Sequence, residues 1–289
     1  MSQTHARTVP AAVGVLGGGR MGAGIAHAFL IAGAQVTVVE RDGQAAEAAR
    51  ERIERDLAKS LERGTVEAAF EELTERLTVG LDHADLAPAE LVVEAVPEVW
   101  DLKVSALQEV ERHLAETAWL ATNTSSLSVG GLAEQLARPE RFCGLHFFNP
   151  VPASTLVEVV LSEHTGEELR ALSVQWVKGL GKTPVVVHDA PGFASSRLGV
   201  AIALEAIRMV EEGVASPEDI DNAMVLGYRF PVGPLALTDI VGLDVRLGIA
   251  EYLESTLGER FAPPQLMRDM VARGELGRKT GKGFFDYDR

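Results

Sequence analysis

Short apolar runs alternate with amphipathic stretches along the chain until about residue 188, where the alternation stops. Ala11 to Leu16 is apolar and leads into a glycine cluster. Behind it, Ile25, Ala26, Phe29 and Leu30 recur on one face of a helix expected from Met21 to Ala32, which Gly33 is placed to close. Gln35 to Val39 is rich in β-branched residues and reads as a strand. Residues 44–76 form a long, charged helical stretch with a break near Gly64. Leu91 to Val96, Trp119 to Ala121, Cys143 to Phe148, Leu156 to Leu161 and Pro184 to His188 read as further strands. Strands separated by helical stretches of about ten or more residues predict βαβ units, and so a Rossmann-type, doubly wound, mainly parallel α/β sheet.

Past Asp189-Ala190-Pro191-Gly192 the periodicity is helical. Leu198 to Glu211 has almost no polar face at its start, the pattern of a helix buried on all sides, either inside a domain or across a subunit interface. Ser216-Pro217-Glu218-Asp219 carries a cap, a proline at the first helical position and acids in the first turn. Two domains are therefore expected: a dinucleotide-type α/β domain over residues 1–188 and an all-helical domain over 189–289.

Composition narrows the function. The 289 residues are 46% hydrophobic and 24% charged, as in ordinary globular chains. Lys and Arg total 27 against 42 Asp and Glu, a formal charge of −15. So acidic a surface repels phosphate backbones and argues against a nucleic-acid partner. The one cysteine, Cys143, points to a reducing compartment. No apolar run approaches the roughly 18 residues of a membrane helix. Met1 to Pro10 is polar and reads as a frayed tail on a cytoplasmic protein.

Gly17-Gly18-Gly19-Arg20-Met21-Gly22 fits G-x-G-x-x-G through Gly17, Gly19 and Gly22, with Arg20 and Met21 inside the same loop. Its context, after a strand and before a helix, gives each glycine a task. The first permits a tight turn, the second lets backbone approach a pyrophosphate, and the third packs helix against strand. Glu40 follows at the end of the second strand, where a carboxylate accepts from ribose hydroxyls and repels a 2′-phosphate. That favours NAD over NADP. Arg41 could pack over an adenine, soften that repulsion, or be a solvated surface charge.

A hydroxyl-oxidising enzyme needs a base, and histidine suits neutral pH. Of the seven histidines, His5 lies in the tail, His83 and His113 sit among charged residues, and His27 reads as packing or surface. His164 falls in a loop and His188 ends a strand. His146 differs, in the apolar run Gly144-Leu145-His146-Phe147-Phe148-Asn149-Pro150. Glu158 sits in the middle of the apolar strand Leu156 to Val160, where a carboxylate needs a partner. A buried His146–Glu158 pair would meet that need and orient the imidazole; a purely structural ion pair reads equally well.

At these residues the chain resembles the 3-hydroxyacyl-CoA dehydrogenases. The segments GGGRMGAGIA, NTSSLSV, GLHFFNPVP, LVEVV, PGF, PVGPLALTDIVGLD and GRKTGKGFFDY carry the likeness from about residue 11 to 288. The resemblance implies an NAD-binding domain, a helical C-terminal domain, a homodimer, and interconversion of L-3-hydroxyacyl and 3-ketoacyl thioesters, short-chain acyl-CoA in particular. It implies His146 as the base, Glu158 as its partner, and Ser125 bonding the substrate oxygen or the nicotinamide ribose. It places Asn149 at the nicotinamide end, Ala95 along the cofactor path, and Glu98, Lys103 and Lys279 in contact with the cofactor. Ser196 stands where the family carries an Asn that helps bind the substrate carbonyl. Ser154-Thr155 replaces Met-Lys, and Leu61-Glu62-Arg63-Gly64-Thr65 thins the basic cluster that meets CoA, though Lys59 and Arg63 remain. Those departures keep a second reading open, a relative acting on a free 3-hydroxy acid or a carrier-protein thioester. A third is a cofactor-binding sensor without turnover.

Overall fold

The structure is a computed structural model that describes residues 8–287. The chain divides into two compact units, one ending at Asp189 and the other beginning at Ala190.

The described residues of the first unit form eight strands: β1 (Ala12–Leu16), β2 (Gln35–Val39), β3 (Leu77–Gly80), β4 (Leu91–Glu94), β5 (Trp119–Thr122), β6 (Phe142–Phe147), β7 (Leu156–Leu161) and β8 (Thr183–His188). They form one sheet in the order β3-β2-β1-β4-β5-β6-β7-β8. Every pairing is parallel except β6 with β7. The order reverses beside β1, so the ends of β1 and β4 open the crevice in which doubly wound sheets bind ligands. Helices α1 (Arg20–Ile31), α2 (Gly43–Glu62), α3 (Phe70–Glu75), α4 (Trp100–His113), α5 (Val129–Ala133) and α6 (Glu167–Gly179) accompany the sheet. Apolar strands β1, β4 and β6 are buried along almost their whole length, as a sheet covered on both faces requires.

Several sequence expectations change here. β3 went unanticipated because it is a short edge strand with only Leu77 buried, too little for an alternating signal. The expected strand Leu91 to Val96 stops at Glu94, whose carboxylate turns back to accept from the Val96 N–H at 2.6 Å. The break expected near Gly64 is present: the helical stretch 44–76 is divided there into α2 and α3, and Gly64 has φ +65°. Of the tail Met1 to Pro10, residues 1–7, His5 among them, lie outside the described residues. Val9 is no frayed end; it is buried in the core of the first unit.

The second unit comprises α7 (Ser195–Glu211), α8 (Pro217–Asn222), α9 (Pro234–Val241), α10 (Leu243–Leu257) and α11 (Gln265–Ala272). Val200, Leu204 and Ile207 of α7 pack with Ile220, Leu235, Leu253 and Met267. Ser216 caps α8 by accepting from the Asp219 N–H at 3.1 Å. α7 is not buried on all sides within this chain, because Leu198 and Ile202 are exposed.

Candidate active site

The loop between β1 and α1 is shaped by what its glycines touch. The Gly17 N–H donates to the Val39 carbonyl at 2.8 Å, which pulls the loop over the end of β2. Gly17 takes φ +91°, a conformation that side chains disfavour. A Cβ at Gly22 would lie 1.7 Å from the Gly17 carbonyl oxygen, and one at Gly18 would lie 2.4 Å from Ala49 Cβ. Gly19 is different: among the described residues, apart from Gly19 and its two chain neighbours, no atom lies within 4 Å of where its Cβ would be. Space is kept beside Gly19 that no protein atom fills. α1 begins there with no side-chain cap and no acid in its first turn, so its leading N–H groups suit an anion.

These features line a cleft of about 1170 Å³. Gly17, Gly19, Arg20, Met21, Glu40 and Arg41 face one side of it. Ala95, Glu98, Lys103 and Ser125 face it as well. Glu40 accepts from the Gly18 N–H at 2.6 Å and from the Arg41 N–H at 3.1 Å, so its carboxylate is locked to the glycine loop. The Arg41 side chain is largely exposed and bonds Asp42 at 3.0 Å. Among the lining residues that escaped the sequence reading are His83 and Arg52. His83, expected among exposed charges, reaches the cleft from the turn after β3, and Arg52 of α2 donates to the Gly18 carbonyl at 3.4 Å. Only the three-dimensional path of the chain brings either one there.

At the cleft lies a charge network, buried at Glu94 and Lys103 and open to solvent at Glu98, that sequence reasoning found only in part. Lys103 Nζ is 2.7 Å from Glu94 Oε1 and 3.3 Å from Glu98 Oε2. Glu94, wholly buried, also accepts from Thr122 Oγ1 at 2.6 Å. Glu98 takes four donors from the turn after β5: Thr124 Oγ1, the Ser125 and Ser126 N–H groups, and Ser126 Oγ. Burial pushes the Glu98 pKa up, but the Lys103 charge and these hydrogen bonds outweigh it and hold the carboxyl below the ordinary glutamate range. Glu94 reads as an acid in an apolar strand, LVVE, which is the same signal that singled out Glu158. Asn123 joins this turn to the next strand, its Oδ1 accepting from the Phe147 N–H at 2.9 Å.

His146 and Glu158 face each other across the antiparallel β6–β7 ladder. His146 Nδ1 lies 2.8 Å from Glu158 Oε2, with both side chains buried. Nδ1–H donates to the carboxylate, which fixes the ring and assigns Nε2 the acceptor lone pair of the neutral imidazole. Phe148 packs on the ring at 4.5 Å between centroids. Asn149 follows two residues after β6 and is exposed. Ser196 and Lys279 belong to the second unit. Ser196 lies in the first turn of α7, and Lys279 Nζ lies 2.5 Å and 2.6 Å from the two Asp244 carboxylate oxygens.

Comparison with known proteins agrees with this geometry. Residues 12–190 match the model of the 3-hydroxyacyl-CoA dehydrogenase NAD-binding domain, and residues 192–287 match that of the C-terminal domain of the same enzymes. The chain belongs to the 3-hydroxyacyl-CoA dehydrogenase family. It is 40% identical to the probable 3-hydroxybutyryl-CoA dehydrogenase of Deinococcus radiodurans over 275 residues, covering 95% of this chain and 99% of that one. It is 41% identical to the 3-hydroxybutyryl-CoA dehydrogenase of Mycobacterium tuberculosis (strain H37Rv) over 279 residues, covering 95% and 98%. The crystal structure of (S)-3-hydroxybutyryl-CoA dehydrogenase from Ralstonia eutropha superposes with a TM-score of 0.93 at 37% identity, covering 97% of this chain and 100% of that one. This dehydrogenase is an NAD-dependent oxidoreductase, and the open space at Gly19, the uncapped start of α1 and the acid at Glu40 fit that cofactor. Among the described residues, no helix is long and apolar enough to cross a membrane.

Proposed function

We propose that this dehydrogenase interconverts L-3-hydroxyacyl-CoA and 3-ketoacyl-CoA, with short chains such as 3-hydroxybutyryl-CoA and acetoacetyl-CoA as substrates. The observation that carries the reading is the buried His146–Glu158 pair at 2.8 Å, in the domain that holds the dinucleotide cleft. In the oxidative direction His146 Nε2 takes the proton of the 3-hydroxyl. Glu158 keeps the ring oriented and stabilises the imidazolium as it forms. Ser125 donates to the substrate oxygen or holds the nicotinamide ribose, and Ser196 helps bind the substrate carbonyl. Bound NAD supplies the hydride acceptor. Gly17, Gly19, Arg20, Met21 and Gly22 would hold its diphosphate, Glu40 and Arg41 its adenosine ribose and adenine, and Ala95, Glu98, Lys103, Asn149 and Lys279 the remainder. Residues 1–188 form the cofactor domain; residues 189–289 serve substrate binding and dimerisation. The protein acts as a cytoplasmic homodimer with an acyl-CoA substrate, and neither a nucleic acid nor a membrane is a partner. Purified protein should oxidise NADH with acetoacetyl-CoA. Folded, cofactor-binding protein that turns over no 3-ketoacyl-CoA rejects the proposal.

One observation favours a second reading, a free 3-hydroxy acid or a carrier-protein thioester as substrate. Ser154 is committed to its own turn, with its hydroxyl 3.4 Å from the Leu156 carbonyl oxygen and 3.3 Å from the Leu156 nitrogen, and offers no cation. A panel of CoA thioesters, carrier thioesters and free acids separates the two, since activity confined to CoA thioesters excludes this reading.

A further inference from the structure

The turn between β5 and α5 carries four hydroxyls, on Thr124, Ser125, Ser126 and Ser128. Three of them are spent on two carboxylates. Thr124 Oγ1 and Ser126 Oγ donate to Glu98 Oε1 at 2.6 Å and 3.1 Å, and Ser128 Oγ donates to Asp189 Oδ2 at 2.7 Å. The Ser125 hydroxyl makes no hydrogen bond to any described residue, and Ser125 lines the cleft. A loose turn could offer any of its hydroxyls to a ligand. This one is tied at both ends so that a single hydroxyl is left to do so.

Glu98 ties the near end and Asp189 the far end. The same Asp189 oxygen accepts from the Gly130 N–H at 2.8 Å. Ser128 also caps α5, accepting from the Gly131 N–H at 3.0 Å. A Cβ at Gly130 would stand 3.3 Å from Asp189 Oδ2 and 3.5 Å from Ser162 Cβ, so the bare glycine lets the carboxylate come close. Both bonds to Asp189 have an ionised acceptor, which makes them the stronger kind. Asp189 is itself fixed by the sheet. Its N–H donates to the Leu161 carbonyl at 2.9 Å and carries the β7–β8 ladder one step beyond the Leu161–His188 pair. β7 is also the strand that sets Glu158 against His146. One strand thus fixes the imidazole through Glu158 and the far end of the serine turn through Asp189, all within the first unit.

We infer that Asp189 is a positioning residue for the redox reaction: by holding Ser128 and Gly130 it fixes the turn that presents Ser125. A hydroxyl that meets a substrate or ribose oxygen must lie within hydrogen-bond distance, and a misplacement of about 1 Å costs about 10²-fold in rate. The use of Ser125 rests on the function proposed above; the anchoring of the turn does not.

A double-mutant cycle on the full-length protein, read as kcat/KM for acetoacetyl-CoA with NADH, separates positioning from support of the fold. Asp189→Ala should lower kcat/KM by about 10- to 10²-fold in the native background. In Ser125→Ala, where no hydroxyl is left to misplace, the same change should cost less than about threefold. Asp189→Asn keeps an acceptor oxygen in place and should lose clearly less than Asp189→Ala. Hydrogen–deuterium exchange reads the anchoring without turnover: amides of residues 125–131 should exchange faster in Asp189→Ala, and those of β1 should not. Should Asp189→Ala fail to fold, Ser128→Ala, at an exposed position, replaces it in the cycle with the same expectation. Equal losses in the two backgrounds make the carboxylate a structural support and overturn the proposal. So does full activity of Asp189→Ala, unchanged exchange across 125–131, or an Asn variant as impaired as the Ala variant. A fully active Ser125→Ala overturns it together with the role given to Ser125 above. If no 3-ketoacyl-CoA is turned over at all, the function proposed above fails, and the exchange arm alone decides whether Asp189 anchors the turn.

Discussion

Two side chains in the first unit show why a costly burial is kept. Glu158 is buried in the middle of an apolar strand and is tolerable there because His146 meets it at 2.8 Å. The same contact holds the imidazole in one tautomer, which a proton-transferring base requires. His146→Gln should lower kcat by about 10²- to 10⁴-fold, the usual worth of a positioned acid–base group. NADH affinity, read by fluorescence titration, should stay within about twofold, since the cofactor contacts lie elsewhere. Glu158→Gln should lower kcat in the same direction while keeping a hydrogen bond to the ring. An unchanged kcat in either variant would remove the pair from the mechanism. Glu98 gives a second prediction with a definite sign. Its pKa is lowered in the folded protein, so its contribution to stability is complete above the ordinary glutamate value of about 4.3. That contribution is lost as pH falls through the depressed folded value. Melting temperatures from pH 7 down to 3 should therefore show an acid limb that is shallower in Glu98→Gln. The variant should also bind NADH more weakly at pH 7, because the turn carrying Ser125 loses its anchor. Coincident acid limbs would show that the carboxylate holds nothing.

The β1–α1 element separates two meanings of one glycine pattern, one set by the protein and one set by its ligand. At Gly22 a Cβ would collide with the Gly17 carbonyl at 1.7 Å, whereas at Gly19, its two chain neighbours aside, it would meet no described atom within 4 Å. Gly22→Ala should therefore lower both the melting temperature and NADH affinity. Gly19→Ala should melt like the native protein yet bind NADH at least about tenfold more weakly, since the methyl group stands where the diphosphate approaches backbone. Equal melting losses in the two variants would contradict this division. The glycine spacing, the acid at Glu40 and the strand–helix alternation could all be read from the sequence because each is set by neighbours close in the chain. β3 could not, since a short edge strand with one buried residue has no period. Glu94 carried the signal of an acid in an apolar strand, but its partner Lys103 lies in α4, and His83 could not be placed, because the curl of the chain after β3 brings it to the cleft. The antiparallel direction of β7 likewise follows from a helix-free return between β6 and β7 that the apolar runs alone do not encode.

At the scale of the whole molecule, the net charge of −15 limits nonspecific association, so a stable contact between copies must come from apolar area. The second unit displays such area. Leu198 of α7 is 63% exposed and Ile202 of the same helix 37%, while Ile240 of α9 is 45% exposed. Leu198 and Ile202 are four residues apart and so share a face of α7. The apolar pattern of Leu198 to Glu211 left two readings open, an internal helix or a subunit contact. Burial now divides the helix between them: Leu204 and Ile207 belong to the core of the unit, and Leu198 and Ile202 do not. A two-fold contact repeats every side chain, so one substitution removes two burials. Fully burying an aliphatic side chain contributes about 1.5–3 kcal/mol; Ile202 has about a third of its surface left to bury, so over two copies its loss weakens association by roughly tenfold, and the desolvation of two introduced carboxylates weakens it further. Ile202→Glu should therefore shift the native protein from dimer to monomer in sedimentation velocity at micromolar concentration. Its far-ultraviolet circular dichroism should not change, because the partly exposed side chain contributes little to the core. Glu98 and the glycine loop lie in the other unit, so NADH binding should survive the change. A native protein that sediments as a monomer, or a variant that remains dimeric, would assign this face of α7 to some other contact.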